Sequence, residues 1–544
     1  RVVRQSALTR QLTQPVRRDW QQGLTPPARL GLSRGPRNEE CAAMARRWFG
    51  GLLVLVAVGR AGAEAPRYVE EIWESAALDG ARVGYLHTTV QALEGDGPKR
   101  LRTTADLNLT FRRQRAAVRL RVETGTEETA DGKVVGVFMR QGQGDRTLTL
   151  TGALEDGRMH VRIDGGRIDR RLRWGDEVVG MYRLEHLFEK RRPKPGDRFS
   201  FPRYEPTLNA VVTVRAAVSG PEEVPTPAGR QKLLRVDLVP DKVEGSGLSV
   251  QLPPAVWWLD AGFVPVRRQI ELEGLGAVVL TRTTRAAATA PAAGPARGAD
   301  IGLKTLVPLN RAIARPHFTR AAVYRVTLRG DADPGTAFAN DGHQEVRNLR
   351  GNTFELHVHP VQPAPAGGAA AEAPGAEFLA PSHFIDSDDA RVKELARRAV
   401  GGETDPLRKA RRIENWAHQT MRVDNTAPFA PAGQVARSLR GDCRQYALLT
   451  AALCRAEGLP SRTAVGLVYV EKDRRPFLGM HMWAEVWVGG RWLGLDAVWG
   501  RVGATHVKVA DHSWHETQSL TPFLPVSRIL GKVAVEVVRV EAGD

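Results

Sequence analysis

The chain has 544 residues, of which 42% are hydrophobic and 26% charged, and its formal net charge is +17. This length exceeds what one hydrophobic core usually serves, so we expect two or more domains. The arginines are scattered among acidic residues and form no basic cluster with aromatics, which argues against nucleic acid as a partner. Association with an acidic cell-envelope surface remains open. Three cysteines are too few for a disulfide framework.

The N-terminal segment carries the signals of an exported protein. Residues 1–43 are rich in arginine without hydrophobic periodicity, and we interpret them as sequence upstream of the true start, with a basic disordered arm as the alternative. From Met44, a basic stretch, a short apolar run and the small residues Ala61 and Ala63 follow in the order of a secretory signal. The run is shorter than the roughly 20 residues that span a bilayer. We therefore predict a signal peptide over 44–63 and a periplasmic, cell-envelope or extracellular location.

Short alternating runs separated by turn residues fill residues 64–285 and predict an all-β domain. No group of titratable residues with an evident mechanism occurs there, so we assign the domain a binding or scaffolding role. Residues 286–300 have the Ala/Pro-rich composition of a linker. A β-rich lead-in and loop is predicted over 301–376.

Helical signals follow the lead-in. Asp389 begins a predicted helix that runs to about Val400, and Asp405 begins another that runs to about Met421. A third starts after Asp442, and strands are predicted at 462–470, 481–488 and 491–496. The predicted fold is therefore multidomain, with the N-terminal all-β domain joined to a C-terminal α+β core over 377–515. A tail over 516–544 is expected to contain a final strand.

Three side chains of the α+β core carry the candidate chemistry: Cys443, His481 and Asp496. The thiol lies in the first turn of a helix capped by Asp442, where unpaired backbone N–H groups favour an anion. A cysteine attacks as a thiolate, and a nearby imidazolium favours that form. The charge of Asp442 opposes it, so the histidine matters more.

A β-hairpin would bring the histidine and the aspartate together. If Gly489-Gly490 form a two-residue turn, the pairing that continues outward from it places Asp496 opposite Trp483. The carboxylate then lies on the same strand face as His481 and diagonal to it, about 7–8 Å away. From there it can orient the imidazole, whereas a register shift of one residue would put it on the opposite face.

These segments resemble the transglutaminase-like superfamily of papain-fold cysteine enzymes, in its bacterial secreted form. The resemblance covers about residues 380–500 and rests on 441–443, 446–449, 453–462, 481–486 and 495–496. It implies that Cys443, His481 and Asp496 are the catalytic cysteine, histidine and aspartate. The family's common proline after the aspartate is absent, since Ala497 follows, which removes a turn constraint and no catalytic group.

Each of these residues also has a purely structural interpretation. A lone cysteine is usually a buried core residue, and Cys454 fits that description because it lies in the middle of a helix. It is also too far along that helix from Cys443 to form a disulfide. Two further histidine pairs lack other ligands at metal-binding spacing: His357 with His359, and His512 with His515, the latter at helical spacing typical of a surface.

The sequence thus predicts an exported cysteine-dependent enzyme that acts on amide bonds through a thioester. Water as the acceptor would make it a peptidase or amidase, which we favour because water needs no dedicated site. An amine acceptor would make it a transglutaminase, and a catalytically idle binding or scaffold protein is the alternative of another class. The expected partner is a protein or peptide substrate. The chemistry requires no metal or organic cofactor, and no oligomeric state is predicted.

Overall fold

The computed structural model describes residues 68–94, 99–113, 116–143, 146–163, 168–245, 248–250, 252–272, 276–291, 305–362, 372–515 and 521–543. The predicted upstream segment 1–43 and the predicted signal peptide 44–63 lie outside these residues. Among the described helices, none has both the length and the apolar character needed to cross a membrane.

The first half of the described chain forms an antiparallel sheet of fourteen strands. Their order across the sheet is β8-β7-β6-β5-β4-β3-β2-β1-β16-β15-β14-β11-β10-β9, and β12 and β13 form a separate hairpin. The strands are β1 (Glu70–Leu78), β2 (Ala81–Leu93), β3 (Arg100–Arg113), β4 (Ala116–Thr129), β5 (Val134–Gln143), β6 (Arg146–Glu155), β7 (Arg158–Ile163), β8 (Ile168–Arg173), β9 (Arg198–Glu205), β10 (Ala210–Thr226), β11 (Gly229–Pro240), β12 (Val243–Gly245), β13 (Leu248–Val250), β14 (Ala255–Leu259), β15 (Pro265–Leu272) and β16 (Gly276–Thr283). The prediction of an N-terminal all-β region is confirmed.

Alternating side chains explain why these segments form strands with one buried face. In β10, Val212, Val214, Ala216 and Val218 are buried, whereas most of the residues between them are exposed. Helices α1 (Met181–Glu185) and α2 (Leu187–Arg191) connect β8 to β9. Phe188 of α2 is fully buried in the same core as Val214 and Ala216.

The start of the predicted linker is part of the β-rich region. Helix α3 (Arg285–Thr289) follows β16 directly, and the Thr284 side chain accepts a hydrogen bond from the Ala287 N–H at 3.2 Å. Ala288 is 1% exposed, and its carbonyl accepts a hydrogen bond from Arg82 of β2. Alanine-rich composition is compatible with a packed helix as well as with a linker, which is why composition alone misplaced this boundary.

The second half of the described chain combines helices with two antiparallel sheets and one short parallel pair of strands. One sheet has the order β17-β24-β23-β26 with β25 paired to β24, the other has the order β19-β20-β18-β27, and β21 pairs with β22. The helices are α4 (Ala390–Val400), α5 (Pro406–Thr420), α6 (Ala432–Ser438), α7 (Cys443–Ala456) and α8 (Leu524–Ser527). The strands are β17 (Val307–Pro308), β18 (Thr319–Leu328), β19 (Gln344–Arg350), β20 (Thr353–Val358), β21 (Arg422–Val423), β22 (Arg440–Gly441), β23 (Ser461–Lys472), β24 (Arg475–Val488), β25 (Arg491–Leu495), β26 (His506–His512) and β27 (Val533–Ala542). The predicted C-terminal α+β region is confirmed.

The three predicted helix starts are confirmed, and each is an aspartate cap. Asp389 accepts hydrogen bonds from the backbone of Arg391 and Val392, and Asp405 accepts one from Arg408. These bonds satisfy N–H groups that have no partner within the helix. The buried faces of α4 to α7 pack together and against β24 in one core.

A second core joins the two sheets of this region. Tyr324 of β18, Leu356 of β20 and Val537 of β27 pack with Leu467 of β23 and Val507 of β26. The β-rich lead-in and the C-terminal strand therefore pack around the sheet that contains β23, β24 and β26. The boundaries predicted at 376 and 516 run through this shared core.

A buried ion cluster fixes β26 against its neighbours. The Lys508 side chain is fully buried, and its Nζ lies 2.7 Å from Asp341, 2.9 Å from Glu485 and 2.8 Å from Asp511. We expect Lys508→Met to lower the free energy of unfolding by about 3–5 kcal/mol, because three carboxylates lose their shared buried cation and Arg462 remains beside only Glu485 and Asp511. Urea unfolding measures this loss. The exposed Lys472→Met is the control, and equal effects of the two changes would contradict the prediction.

Candidate active site

Cys443 is the first residue of α7, as predicted. The Asp442 side chain accepts a hydrogen bond from the Arg444 N–H at 2.9 Å, and the Asp442 N–H donates to Gln445 Oε1 at 3.1 Å. This reciprocal capping box places the thiol at the positive end of the helix. The Arg444 guanidinium lies 2.7 Å from the Asp442 carboxylate and offsets the negative charge that opposes a thiolate.

His481 and Asp496 meet through the predicted hairpin. Gly489 and Gly490 have φ angles of 62° and 76°, which a two-residue turn of this kind requires and other residues rarely adopt. Ala484 pairs with Leu495, so the predicted register is confirmed. His481 lies in the middle of β24, which begins six residues earlier than the predicted strand, and Asp496 directly follows β25.

A chain of hydrogen bonds links the three predicted residues. His481 Nε2 lies 2.7 Å from Asp496 Oδ2, and the same imidazole interacts with the Cys443 thiol. Because Nε2 is engaged by the carboxylate, Nδ1 is the nitrogen available to the sulfur. Burial by itself lowers the pKa of His481, but the charge of Asp496 and the hydrogen bonds to Asp496 and Cys443 outweigh it and raise the pKa to about 10.

The raised pKa of His481 predicts a specific dependence of stability on pH. The folded protein holds this proton up to about pH 10, whereas the unfolded chain releases it near the ordinary value of 6.5. The contribution is complete below pH 6.5 and is lost as the pH rises through 10. We expect the wild type to lose more stability than His481→Gln between pH 7 and pH 10 in urea unfolding. Parallel losses in both proteins would show that His481 does not hold the proton.

Both oxygens of the Asp496 carboxylate accept hydrogen bonds. Oδ1 accepts hydrogen bonds from the backbone N–H groups of Val498 at 2.9 Å and Trp499 at 3.4 Å, while Oδ2 accepts from His481 and from His506. Burial would raise its pKa, but the two histidines outweigh burial and hold the pKa well below its usual range. The carboxylate is therefore a fixed anion that favours the protonated form of His481.

His506 is a member of this group that the sequence did not indicate. Its Nε2 lies 2.8 Å from Asp496 Oδ2, and its Nδ1 accepts a hydrogen bond from the Gly503 N–H at 3.3 Å. The hydrogen must therefore be on Nε2, and burial lowers the pKa of His506, which keeps the ring neutral. Only the pairing of β26 with β23 brings this residue to the site, so no local pattern could have identified it.

Because His506 donates to the orienting carboxylate, we expect it to be a positioning residue. His506→Leu removes one donor from Asp496 and should lower kcat by about 10- to 100-fold, the worth of a hydrogen bond to a charged group. His506→Gln, whose amide can replace the N–H donor, should recover most of that loss. Steady-state kinetics with unfolding midpoints would test this, and equal kcat losses in both variants at unchanged stability would contradict it.

The same group is the one place in the described residues where side-chain atoms are arranged as metal ligands. The candidate ligand atoms of His481, Asp496 and His506 lie within 4.8 Å of one another. The tautomer of His506 opposes coordination, because its Nε2 carries the hydrogen and has no lone pair to offer. The donor set therefore fits a hydrogen-bonded triad better than a metal site.

The other residues considered from the sequence lie away from this chemistry. Cys454 of α7 is fully buried in the hydrophobic core, and burial raises its pKa far above the ordinary value. His357 in β20 lies 3.2 Å from Glu355. The helical spacing inferred for His512 and His515 is wrong, because His512 ends β26 and its Nδ1 accepts a hydrogen bond from the Trp514 N–H.

A comparison with protein families identifies a similarity in the region that contains the candidate site. The sequence model of the transglutaminase-like superfamily matches residues 393–497. This part of the chain is similar to the transglutaminase-like superfamily. The transglutaminase-like region includes Cys443, His481 and Asp496, whereas His506 lies outside the matched residues.

Individual relatives match limited parts of the chain. An uncharacterized protein of Haemophilus influenzae is 33% identical over 96 residues, which is 17% of this chain and 26% of that protein. The match thus spans about a quarter of that relative's length.

Solved structures are similar at low identity. The periplasmic domain of TgpA from Pseudomonas aeruginosa, bound to ethylmercury, is 14% identical, with 34% of this chain and 91% of that domain covered and a TM-score of 0.19. A β-barrel-like protein of unknown function from Brucella abortus is 12% identical, with 39% and 95% covered and a TM-score of 0.29.

Proposed function

We propose that this protein is an exported cysteine-dependent enzyme that transfers acyl groups from amides. The observation that carries the proposal is the hydrogen-bonded chain from Cys443 through His481 to Asp496, with the thiol at a helix N-terminus. This arrangement supplies a nucleophile, a general base and the group that orients the base. Export rests on the order of basic, apolar and small residues over 44–63. N-terminal sequencing of the protein from its native host tests it, and a chain that retains residues 1–43 would contradict it.

In the proposed reaction the thiol proton resides on His481 before the substrate is attacked, in keeping with the raised pKa of that imidazole. The Cys443 sulfur attacks the amide carbonyl, and the tetrahedral oxyanion accepts hydrogen bonds from backbone N–H groups at the start of α7. The C–N bond breaks as His481 returns the proton to the leaving amine, and a thioester remains on Cys443. Asp496 keeps the imidazole oriented and stabilises its charged form throughout.

The fate of the thioester defines the activity. Attack by water, with His481 as the base, releases a carboxylic acid and makes the protein a peptidase or amidase. Attack by an amine forms a new amide and makes it a transglutaminase. We favour hydrolysis because water needs no dedicated binding site.

One experiment separates these outcomes. The protein without residues 1–63 is incubated with a mixture of soluble proteins, with and without a dansyl-labelled primary amine. Hydrolysis predicts new peptides or released ammonia at a rate that the amine does not change, whereas transglutamination predicts dansyl incorporation into protein. Dansyl incorporation at the expense of hydrolysis would overturn the preference for water.

A binding protein with an idle site is the alternative of another class. Iodoacetamide distinguishes it, because an activated thiol reacts rapidly near neutral pH. The proposal predicts fast alkylation of Cys443 and protection of Cys454, which is fully buried. Alkylation of Cys443 no faster than that of an unstructured cysteine peptide would favour the idle protein.

A further inference from the structure

The fourteen-stranded sheet forms a partly open cavity that the proposed catalysis does not use. Residues of β4 and β5 line it together with residues of β9, β14 and β15, which lie at distant positions in the strand order. The segment between β8 and β9 completes the wall, and a backbone bridge between Val179 and Arg203 joins that segment to β9. The cavity volume is about 260 Å³. Small-molecule sites begin at about 300 Å³, so any occupant is small.

A buried carboxylate holds one wall of this cavity in place. Glu128 of β4 accepts hydrogen bonds from the N–H groups of Tyr182 at 2.8 Å and Arg183 at 3.0 Å, in the first turn of α1. Thr126 donates to Glu128 at 2.8 Å and accepts from the Met181 N–H at 2.9 Å. Movement of α1 would take the two backbone donors away from a buried carboxylate, so the wall is preorganised for an occupant.

The lining is mainly apolar and aromatic, with Trp174, Met181, Leu184 and Trp257 among its side chains. Three N–H groups on lining residues have no acceptor among the described residues: the indole Nε1 of Trp174 and the guanidinium Nε of Arg203 and of Arg268. All three atoms are shielded from water, and a buried donor without an acceptor is destabilising. An oxygen on an occupant of the cavity would supply the acceptor that such a donor lacks.

The charges of the lining indicate the kind of ligand. Arg203 and Arg268 face Glu185 and Glu205 in the lining, so the formal charges cancel. Arg268 pairs with Glu185, and its Cζ lies 4.4 Å from the centroid of the Trp257 ring. A charged ligand would enter without a counter-charge. We propose that this cavity binds a small, neutral, amphipathic molecule, a hydrocarbon body that carries a carbonyl oxygen.

Isothermal titration calorimetry of the full chain with methyl octanoate tests the proposal. We expect saturable binding of this neutral ester and at least ten-fold weaker binding of octanoate. Trp174→Phe keeps a ring against Tyr204, 5.7 Å away between centroids, but removes the donor. It should weaken ester binding by about three- to ten-fold. Trp258→Phe is the matched control, because that indole donates to Glu222 and does not line the cavity.

A second variant fills the cavity instead of changing its polarity. Leu184→Trp should abolish ester binding while thermal unfolding remains cooperative. The proposal is wrong if methyl octanoate does not bind the wild type, if octanoate binds as tightly, or if folded Leu184→Trp binds the ester normally. It is equally wrong if Trp174→Phe and Trp258→Phe give the same affinity.

Discussion

Cys443→Ala should abolish turnover and leave the fold intact. The thiol is the only group at the start of α7 that can form a covalent acyl intermediate, and its side chain is only partly buried. Alanine has a high helix propensity and does not disturb the Asp442 cap, which uses the carboxylate of Asp442 and the backbone. Activity below about one thousandth of the wild-type value is expected, because what remains is catalysis without a nucleophile. Steady-state assays with circular dichroism measure both properties.

Cys454→Ala is the matched control for this change, since both residues lie on the same helix. Cys454 is fully buried, so its truncation should lower stability modestly and leave kcat near the wild-type value. Labelling with iodoacetamide should likewise disappear in Cys443→Ala and persist in Cys454→Ala. Equal loss of turnover in both variants at full folding would remove Cys443 from the mechanism.

Asp496→Asn should lower turnover by about 10⁴-fold, the loss seen when such a triad aspartate becomes an amide. The physical reason is the set of donors around the carboxylate. In the asparagine variant, the backbone N–H groups of Val498 and Trp499 will donate to the single oxygen of the side-chain amide. The amide NH₂ group must then face His481 and His506. His481 Nε2 must then accept, its hydrogen moves to Nδ1, and Nδ1 can no longer take the thiol proton.

Glu485→Gln is the comparison that isolates this effect, because Glu485 is the other carboxylate on the same strand face. It lies 2.9 Å from Lys508 and 2.7 Å from Arg462, and it does not contact His481. We expect the glutamine variant to lose stability and to keep its kcat when folded. A collapse of kcat in Glu485→Gln beside normal kinetics in Asp496→Asn would contradict the triad.

Local chemistry explains what the sequence could predict. The aspartates that cap α4, α5 and α7 each precede a segment whose apolar residues recur with the period of a helix. The Gly489-Gly490 turn sets the pairing register of β24 and β25, which follows from strand geometry alone. These features depend on neighbours within a few residues. The candidate triad could be assembled from them because two of its members share one hairpin.

Contacts between distant segments explain what the sequence could not predict. His506 reaches Asp496 only because β26 pairs with β23. Lys508 forms its ion pair with Asp341 only when the lead-in segment packs beside β26. The helix α3 has the composition of a linker and is ordered by its contact with β2. The secondary-structure propensity of a residue does not predict such contacts, since they are made by tertiary packing.

The position of β27 has a consequence for how the protein matures. β18 lies between β20 and β27, and Arg325 and Glu536 on the adjoining strands are 211 positions apart. The strands and helices between β18 and β27 must therefore all be synthesised before β27, the second neighbour of β18, leaves the ribosome. Until then β18 presents an open edge to other chains, and the long loop makes its closure slow. Completion of this sheet should therefore be a late step in folding, after synthesis of the residues that form the candidate site.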